Sequence, residues 1–222
     1  MIIDSEVSIF ASNLMVQVIQ AQDITLSQLT ELFGLTITYD DHFFTEWQDN
    51  LPEITDLEKQ QLDRVKRNYI SLLDRHALSE NMVKMVVLEH LLDLADFYSL
   101  PFDVKDEKSV ELVVEDQEVI IRDRLDFLIL KNQLWFAIIE SKNAAISLRP
   151  AIPQTLVYML NNPQPERPIF ALLTNGDNFL FIKLIQQDTR QYALSEQFSL
   201  LRRENELYQV LSILKKLGQL IS

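Results

Sequence analysis

Asp126 interrupts the apolar run Leu125-Asp126-Phe127-Leu128-Ile129-Leu130, where a lone carboxylate is costly unless a partner meets it. Glu140 closes a second apolar run, Leu134-Trp135-Phe136-Ala137-Ile138-Ile139, and Lys142 follows two residues later. Residues two apart share a face of an extended chain, so Glu140 and Lys142 can point the same way, and a hairpin between the runs can lay Asp126 beside them. Two carboxylates and an ammonium in one small space suit metal-assisted hydrolysis of a phosphodiester. Asp126 and Glu140 would hold Mg2+, or Mn2+ as a substitute, and the Ser141 backbone carbonyl could add a further oxygen ligand. Lys142 would orient or help deprotonate the attacking water and offset transition-state charge. The same spacing also fits a structural Asp126 to Lys142 salt bridge, with Glu140 at the solvent end of its strand. Asp123, with Arg122 and Arg124 as candidate charge partners, leaves the identity of the first ligand open. Gln154 and Tyr158 are four apart and share a helix face, from which an amide can reach a phosphate or carboxylate and a phenol can donate a hydrogen bond. Ordinary helix packing is the alternative there.

The elements that must position these residues follow from periodicity. Val110 to Val114, Val119 to Leu130 and Leu134 to Ile139 read as strands, with Lys131, Asn132 and Gln133 as the hairpin connection between the last two. Arg149 to Leu160 reads as a helix opened by Pro150 or Pro153. Strands follow at Pro168 to Leu173 and Phe179 to Ile185, separated by the turn Thr174-Asn175-Gly176-Asp177, and a further extended piece surrounds Tyr192. Upstream, Thr55 and Glu58 have capping-box spacing ahead of a helix over about 56 to 74, and a second helix begins after Ser79 and runs to Leu94. A short helix over Leu26 to Phe33, a β-rich patch at Leu35 to Tyr39 and a last helix starting near Glu204 complete the reading. Helices, three strands, a helix and more strands predict a mixed β-sheet flanked by helices, an α/β fold.

The chain has 222 residues, no cysteine and three histidines, which exclude a disulfide scaffold and a thiolate metal site. A net charge of -13 argues against strong nonspecific DNA binding, but the charge is uneven. Residues 1 to 58 hold 11 acidic side chains and no lysine or arginine, whereas the remainder holds 22 acidic and 20 basic ones. The expectation is an acidic appendage over residues 1–55, packed on a core over 56–222 through apolar groups such as Phe33, Phe43, Phe44 and Trp47. Its acidic face is available to a protein partner or a second copy of the chain. No apolar run is long enough to span a membrane and no basic leader opens the chain, so a cytoplasmic protein is expected.

Asp126, the run Ile139-Glu140-Ser141-Lys142, and Gln154 with Tyr158 resemble the successive motifs of the PD-(D/E)xK nuclease superfamily. The variety is that found at the N-terminus of type I restriction enzyme R subunits and in RecB-like nucleases. The stretch from Arg124-Leu125-Asp126-Phe127 through Ala151 to Leu160 is similar to small standalone proteins of that kind, and the resemblance spans about residues 79 to 185. It implies a restriction-endonuclease-like core, DNA as substrate, Mg2+ as cofactor, Asp126, Glu140 and Lys142 as the catalytic set, and Gln154 and Tyr158 as supporting residues. It also implies Glu80, on an earlier helix, as a further metal ligand; from the sequence alone Glu80 is equally a first-turn carboxylate. The proline of the family's Pro-Asp pair is absent, since Leu125 precedes Asp126. A Gly-rich loop ending in Lys-Ser/Thr is also absent, so ATP-driven translocation is not expected in this polypeptide. A catalytically silent interaction module that keeps the nuclease fold is the competing expectation, and a pure DNA-binding module is disfavoured by the lack of a basic helix.

Overall fold

Strict alternation on two strands divides the interior into two layers. On β6 (Ile169–Thr174), Ile169, Ala171 and Leu173 enter one core while Phe170 and Leu172 enter the other. On β7 (Asn178–Ile185), Leu180, Ile182 and Leu184 join the first and Phe179 and Phe181 the second. Strands apolar on both faces belong in the middle of a sheet covered on both sides. The computed structural model, which describes residues 17–114, 119–132, 134–142, 144–145 and 147–220, has that arrangement. Its sheet has eight strands in the order β1-β4-β5-β6-β7-β8-β2, with β3 also paired to β4. The remaining strands are β1 (Gln17–Gln20), β2 (Thr36–Ile37), β3 (Phe102–Val114), β4 (Val119–Lys131), β5 (Leu134–Ser141) and β8 (Gln191–Ser199). Parallel pairs (β1 with β4, β5 with β6, β2 with β8) and antiparallel pairs mix, as expected for this α/β class.

The helices fall on the two faces. α1 (Leu26–Phe33) and α5 (Ile152–Leu160) cover one core, and α2 (Asp56–Leu73), α3 (Glu80–Val83), α4 (Glu89–Leu94) and α6 (Leu207–Gln219) cover the other. α2 begins where the sequence places it: Thr55 and Glu58 form a reciprocal capping box. Its buried stripe is Leu62, Val65 and Tyr69. The Tyr69 hydroxyl donates to Asp177 Oδ1 at 2.8 Å, in the turn between β6 and β7. Gly176 in that turn has φ +87°, and a Cβ there would lie 2.6 Å from the Tyr69 oxygen, so both backbone and space demand glycine. Between α3 and α4 the chain forms a π-helical turn, Lys84–Leu88, that keeps Val87 and Leu88 buried.

The acidic N-terminal segment does not merely rest on the core. Its described part supplies β1, beside β4, and β2, beyond β8, and it buries Leu29, Leu35 and Phe44. Asp23, Glu31, Asp40, Asp41 and Asp49 are exposed. Residues 1–16 lie outside the described residues. Two expectations need correction. Lys131 is the buried last residue of β4 rather than a loop residue, and its ammonium donates to the Gly218 carbonyl at 2.6 Å. β3 begins at Phe102, eight residues before the apolar part that predicts it.

Candidate active site

β4 pairs with β3 along one edge for almost its whole length. Along the other edge β1 takes Val119 to Arg122 and β5 takes Phe127 to Lys131. Among the described residues, Asp123 to Asp126 have no strand partner on that edge, so the sheet forks there. The alternation of β4 also reverses across the fork: Val119, Ile121 and Leu125 face the α5 core, and the next residue to do so is Leu128, three positions on. Phe127 and Ile129 face the other core. Asp123 and Asp126 consequently leave the strand toward opposite layers.

On the α5 side, the Gln154 amide donates to Asp123 Oδ2 at 2.9 Å and to the Tyr158 hydroxyl at 2.7 Å, and that hydroxyl contacts the Arg124 carbonyl at 3.2 Å. Gln154 is thus joined to a carboxylate, as its type allows, but to Asp123. Arg122 pairs with Glu111 at 2.7 Å on β3, not with Asp123, while the Arg124 backbone N–H donates to Asp123 Oδ1 at 2.8 Å.

On the other side, Lys84 Nζ lies 2.6 Å from Asp126 Oδ1 and 2.8 Å from Glu80 Oε1. Ser79 caps the helix that carries both residues, its hydroxyl accepting from the Met82 N–H, and the i, i+4 spacing of Glu80 and Lys84 puts them on one face. The Asp126 and Lys84 side chains are 14% and 21% exposed, so solvent screens this pair only in part, while Glu80 is 41% exposed. Burial by itself depresses the Lys84 pKa, but the hydrogen bonds and charges of Asp126 and Glu80 outweigh it and hold the ammonium above the usual lysine range.

The end of β5 arrives at the same place. Phe127 pairs with Ile139, so Asp126 and Glu140 each lie one residue beyond the last paired position of β4 and β5. The Glu140 and Ser141 backbones pair with Leu173 and Thr174 on β6, and the Lys142 N–H donates to the Thr174 carbonyl at 2.7 Å. The Ala144 N–H then donates to the Leu78 carbonyl at 3.3 Å, which ties the segment after Lys142 to the residue before the Ser79 cap. The side chains of Glu140 and Ser141 lie outside the described residues. Among the described ones, no group of three or more His, Asp or Glu could hold a metal ion. Glu80 and Asp126 nevertheless fit a hard cation: both offer carboxylate oxygens, and both already converge on one positive charge.

The family model of the type I restriction enzyme R protein N terminus (HSDR_N) matches residues 44–190. The chain belongs to that family. Among solved structures, a fragment described as an HsdR subunit of a type I restriction enzyme from Vibrio vulnificus YJ016 is similar over 62% of this chain and 26% of that one, with 16% identity and a TM-score of 0.38. This chain therefore covers 26% of that fragment's length. No curated protein matches. No described helix is long and apolar enough to cross a membrane. The residue that sequence reasoning missed is Lys84. Its signal was the i, i+4 spacing from Glu80, which marks a cation on the face of the carboxylate.

Proposed function

We propose that this chain is a metal-dependent deoxyribonuclease, or the nuclease part of one, that hydrolyses DNA phosphodiester bonds at the fork of the sheet. The observation that carries this reading is the meeting of Glu80 and Asp126 at one cation, in a member of this family. The Leu78 to Ala144 hydrogen bond adds support, because it ties the start of the Glu80 helix to the segment that follows Glu140-Ser141-Lys142.

Asp126, Glu140 and Glu80, with the Ser141 carbonyl, would hold Mg2+ or Mn2+, which when bound polarises a phosphate oxygen and makes water a better nucleophile near neutral pH. The carboxylates fix the reaction centre against β4 and β5, elements too well paired to drift. Lys142 orients the attacking water through its ammonium and offsets the negative charge that grows on the phosphoryl oxygens. Gln154 and Tyr158 are supporting residues on the opposite face of the strand, where they anchor Asp123 and the Arg124 carbonyl and so hold the fold around the site. ATP plays no part in this chain. The exposed acidic groups of the N-terminal segment form the surface for a basic protein partner or a second copy of the chain.

The silent-module reading keeps one specific support, since Lys84 already neutralises two of the proposed ligands. The two readings separate in one experiment. Purified chain with Mg2+ or Mn2+ and no ATP is incubated with linear, nicked, flapped and single-stranded DNA, alongside calorimetric metal titration. Weak cleavage of some substrate, lost in Asp126→Ala, Glu140→Ala and Lys142→Ala variants that remain folded, is the expected result. Absence of divalent-ion binding even with DNA present would refute the catalytic reading.

A further inference from the structure

Lys84 stands where a metal ion would be expected to stand. Its ammonium touches one oxygen of Asp126 at 2.6 Å and one of Glu80 at 2.8 Å. The side chain also runs past Phe127, with Nζ 5.8 Å from the ring centroid. An Mg2+ ion sits about 2.1 Å from its oxygen ligands. An ion bound to those same two oxygens would overlap the ammonium, and the two cations would repel strongly in a partly buried site. Only one can hold that pair of oxygens.

We infer that Lys84 is a tethered counter-cation that a divalent metal must displace, so that Lys84 sets the metal affinity of the site. This inference rests on the nuclease reading above. Its physical basis has three parts. First, Glu80 and Asp126 bring two carboxylates together beside an apolar strand, and the ammonium between them offsets their mutual repulsion when no metal is bound. Second, lysine is suited to leaving: it carries a compact, well-hydrated charge on a flexible stem, whereas a guanidinium would lock onto a carboxylate in a fixed fork. Third, Lys84 is the first residue of the π-helical turn Lys84–Leu88, and π turns within helices are frequent at functional sites. The consequence is a threshold: metal is taken up only where its gain exceeds that of the resident ammonium.

The test uses the full chain. Mn2+ is titrated by calorimetry into wild type, Lys84→Met and Lys84→Arg, with thermal unfolding recorded for each. The Met variant, similar in length and without charge, is expected to bind Mn2+ at least about tenfold more tightly, a gain of about 1.4 kcal/mol. The Arg variant is expected to bind no more tightly than wild type. A second readout needs no variant. Amine acetylation of wild type, quantified at Lys84 by mass spectrometry, should rise when Mn2+ is added, because the displaced ammonium becomes accessible. If wild type binds Mn2+ and Lys84→Met binds equally or more weakly, the inference fails while the nuclease reading stands. Unchanged or reduced Lys84 labelling on metal binding overturns it as well. If neither protein binds Mn2+, both readings fall together.

Discussion

Asp123 and Asp126 stand three residues apart on β4, leave it toward opposite layers, and are satisfied by different chemistry. Asp123 receives a neutral amide from Gln154, itself 7% exposed and backed by the buried Tyr158. Asp126 receives the ammonium that it shares with Glu80. A neutral donor in a closed layer fixes a carboxylate but offers nothing to exchange. A cation at the edge of a layer neutralises a carboxylate and can be replaced by another cation. The neutral arrangement recurs on the opposite face at Asp177, where the donor is the Tyr69 hydroxyl. Burial, and then the Asp177 hydrogen bond and charge, raise that phenol's pKa, so the donor stays protonated at any ordinary pH. One strand thus separates a carboxylate built for position from one built for exchange.

The sharpest way to break this contrast is to neutralise each aspartate alone. Asp126→Asn should reduce metal-dependent cleavage at least about a hundredfold, since even outer-shell partners of a metal cost ten- to a hundredfold. Asp123→Asn should leave cleavage within about threefold and cost about 1 kcal/mol in urea-induced unfolding, the worth of one hydrogen bond. Equal losses of cleavage would make the two carboxylates one functional unit.

The next effect is structural and tests whether neutral anchors are rigid. Gly176→Ala forces a side chain into a left-handed backbone and into the Tyr69 ring, and should cost about 3 kcal/mol of stability, read from the shift in the urea midpoint. A cost near zero would mean that the Tyr69 to Asp177 anchor yields freely. Smaller still, Tyr158→Phe removes the hydroxyl between Gln154 and the Arg124 carbonyl and should cost about 1–2 kcal/mol, with metal affinity unchanged. A change in metal affinity would show that the anchoring side communicates with the exchanging one.

These anchors also show how far the sequence could be read. The α2 capping box, the α1 and α5 helices, the Gly176 turn and strands β4 to β7 were legible, because each rests on local chemistry: caps, proline in a first turn, a left-handed glycine and period-two apolar runs. Family membership was legible from Asp126, Glu140-Ser141-Lys142 and Gln154 with Tyr158. β1 was not, since four residues reading Gln-Val-Ile-Gln become a strand only by pairing with Val119 to Arg122 about a hundred positions away. The first half of β3, Phe102 to Ser109, escaped because Asp103, Lys105 and Lys108 make it look like a loop, although charge on such a strand is common. The partner of Gln154 could not be read, because choosing Asp123 over Asp126 depends on the reversal of alternation at the fork.

The smallest effect concerns pH. Glu58 is 13% exposed. Burial raises its pKa, but hydrogen bonds from Lys215 and Thr55 outweigh that and leave it below the usual carboxylate value. A depressed carboxylate contributes stability above its unfolded pKa and loses it as pH falls through the folded one. Glu58→Gln, which can keep the capping geometry, should therefore destabilise by under about 1 kcal/mol at pH 7, with the difference from wild type vanishing at lower pH. Persistence of the difference in acid would place it in packing and not in charge.

The weaving of residues 17–37 into the sheet has a consequence for how the molecule is made. β1 waits for residues 119–122 and β2 waits for Gln191 and Tyr192. A growing chain therefore holds β1 unpaired until Arg122, and β2 until Tyr192, has left the ribosome, and such distant closures are slow. β1 borders the fork on one side and β5 on the other, so no product that stops short of Ser141 carries a finished fork. Assembly of the site thus waits on a closure between segments about a hundred residues apart, not on the local hairpin of β4 and β5 alone.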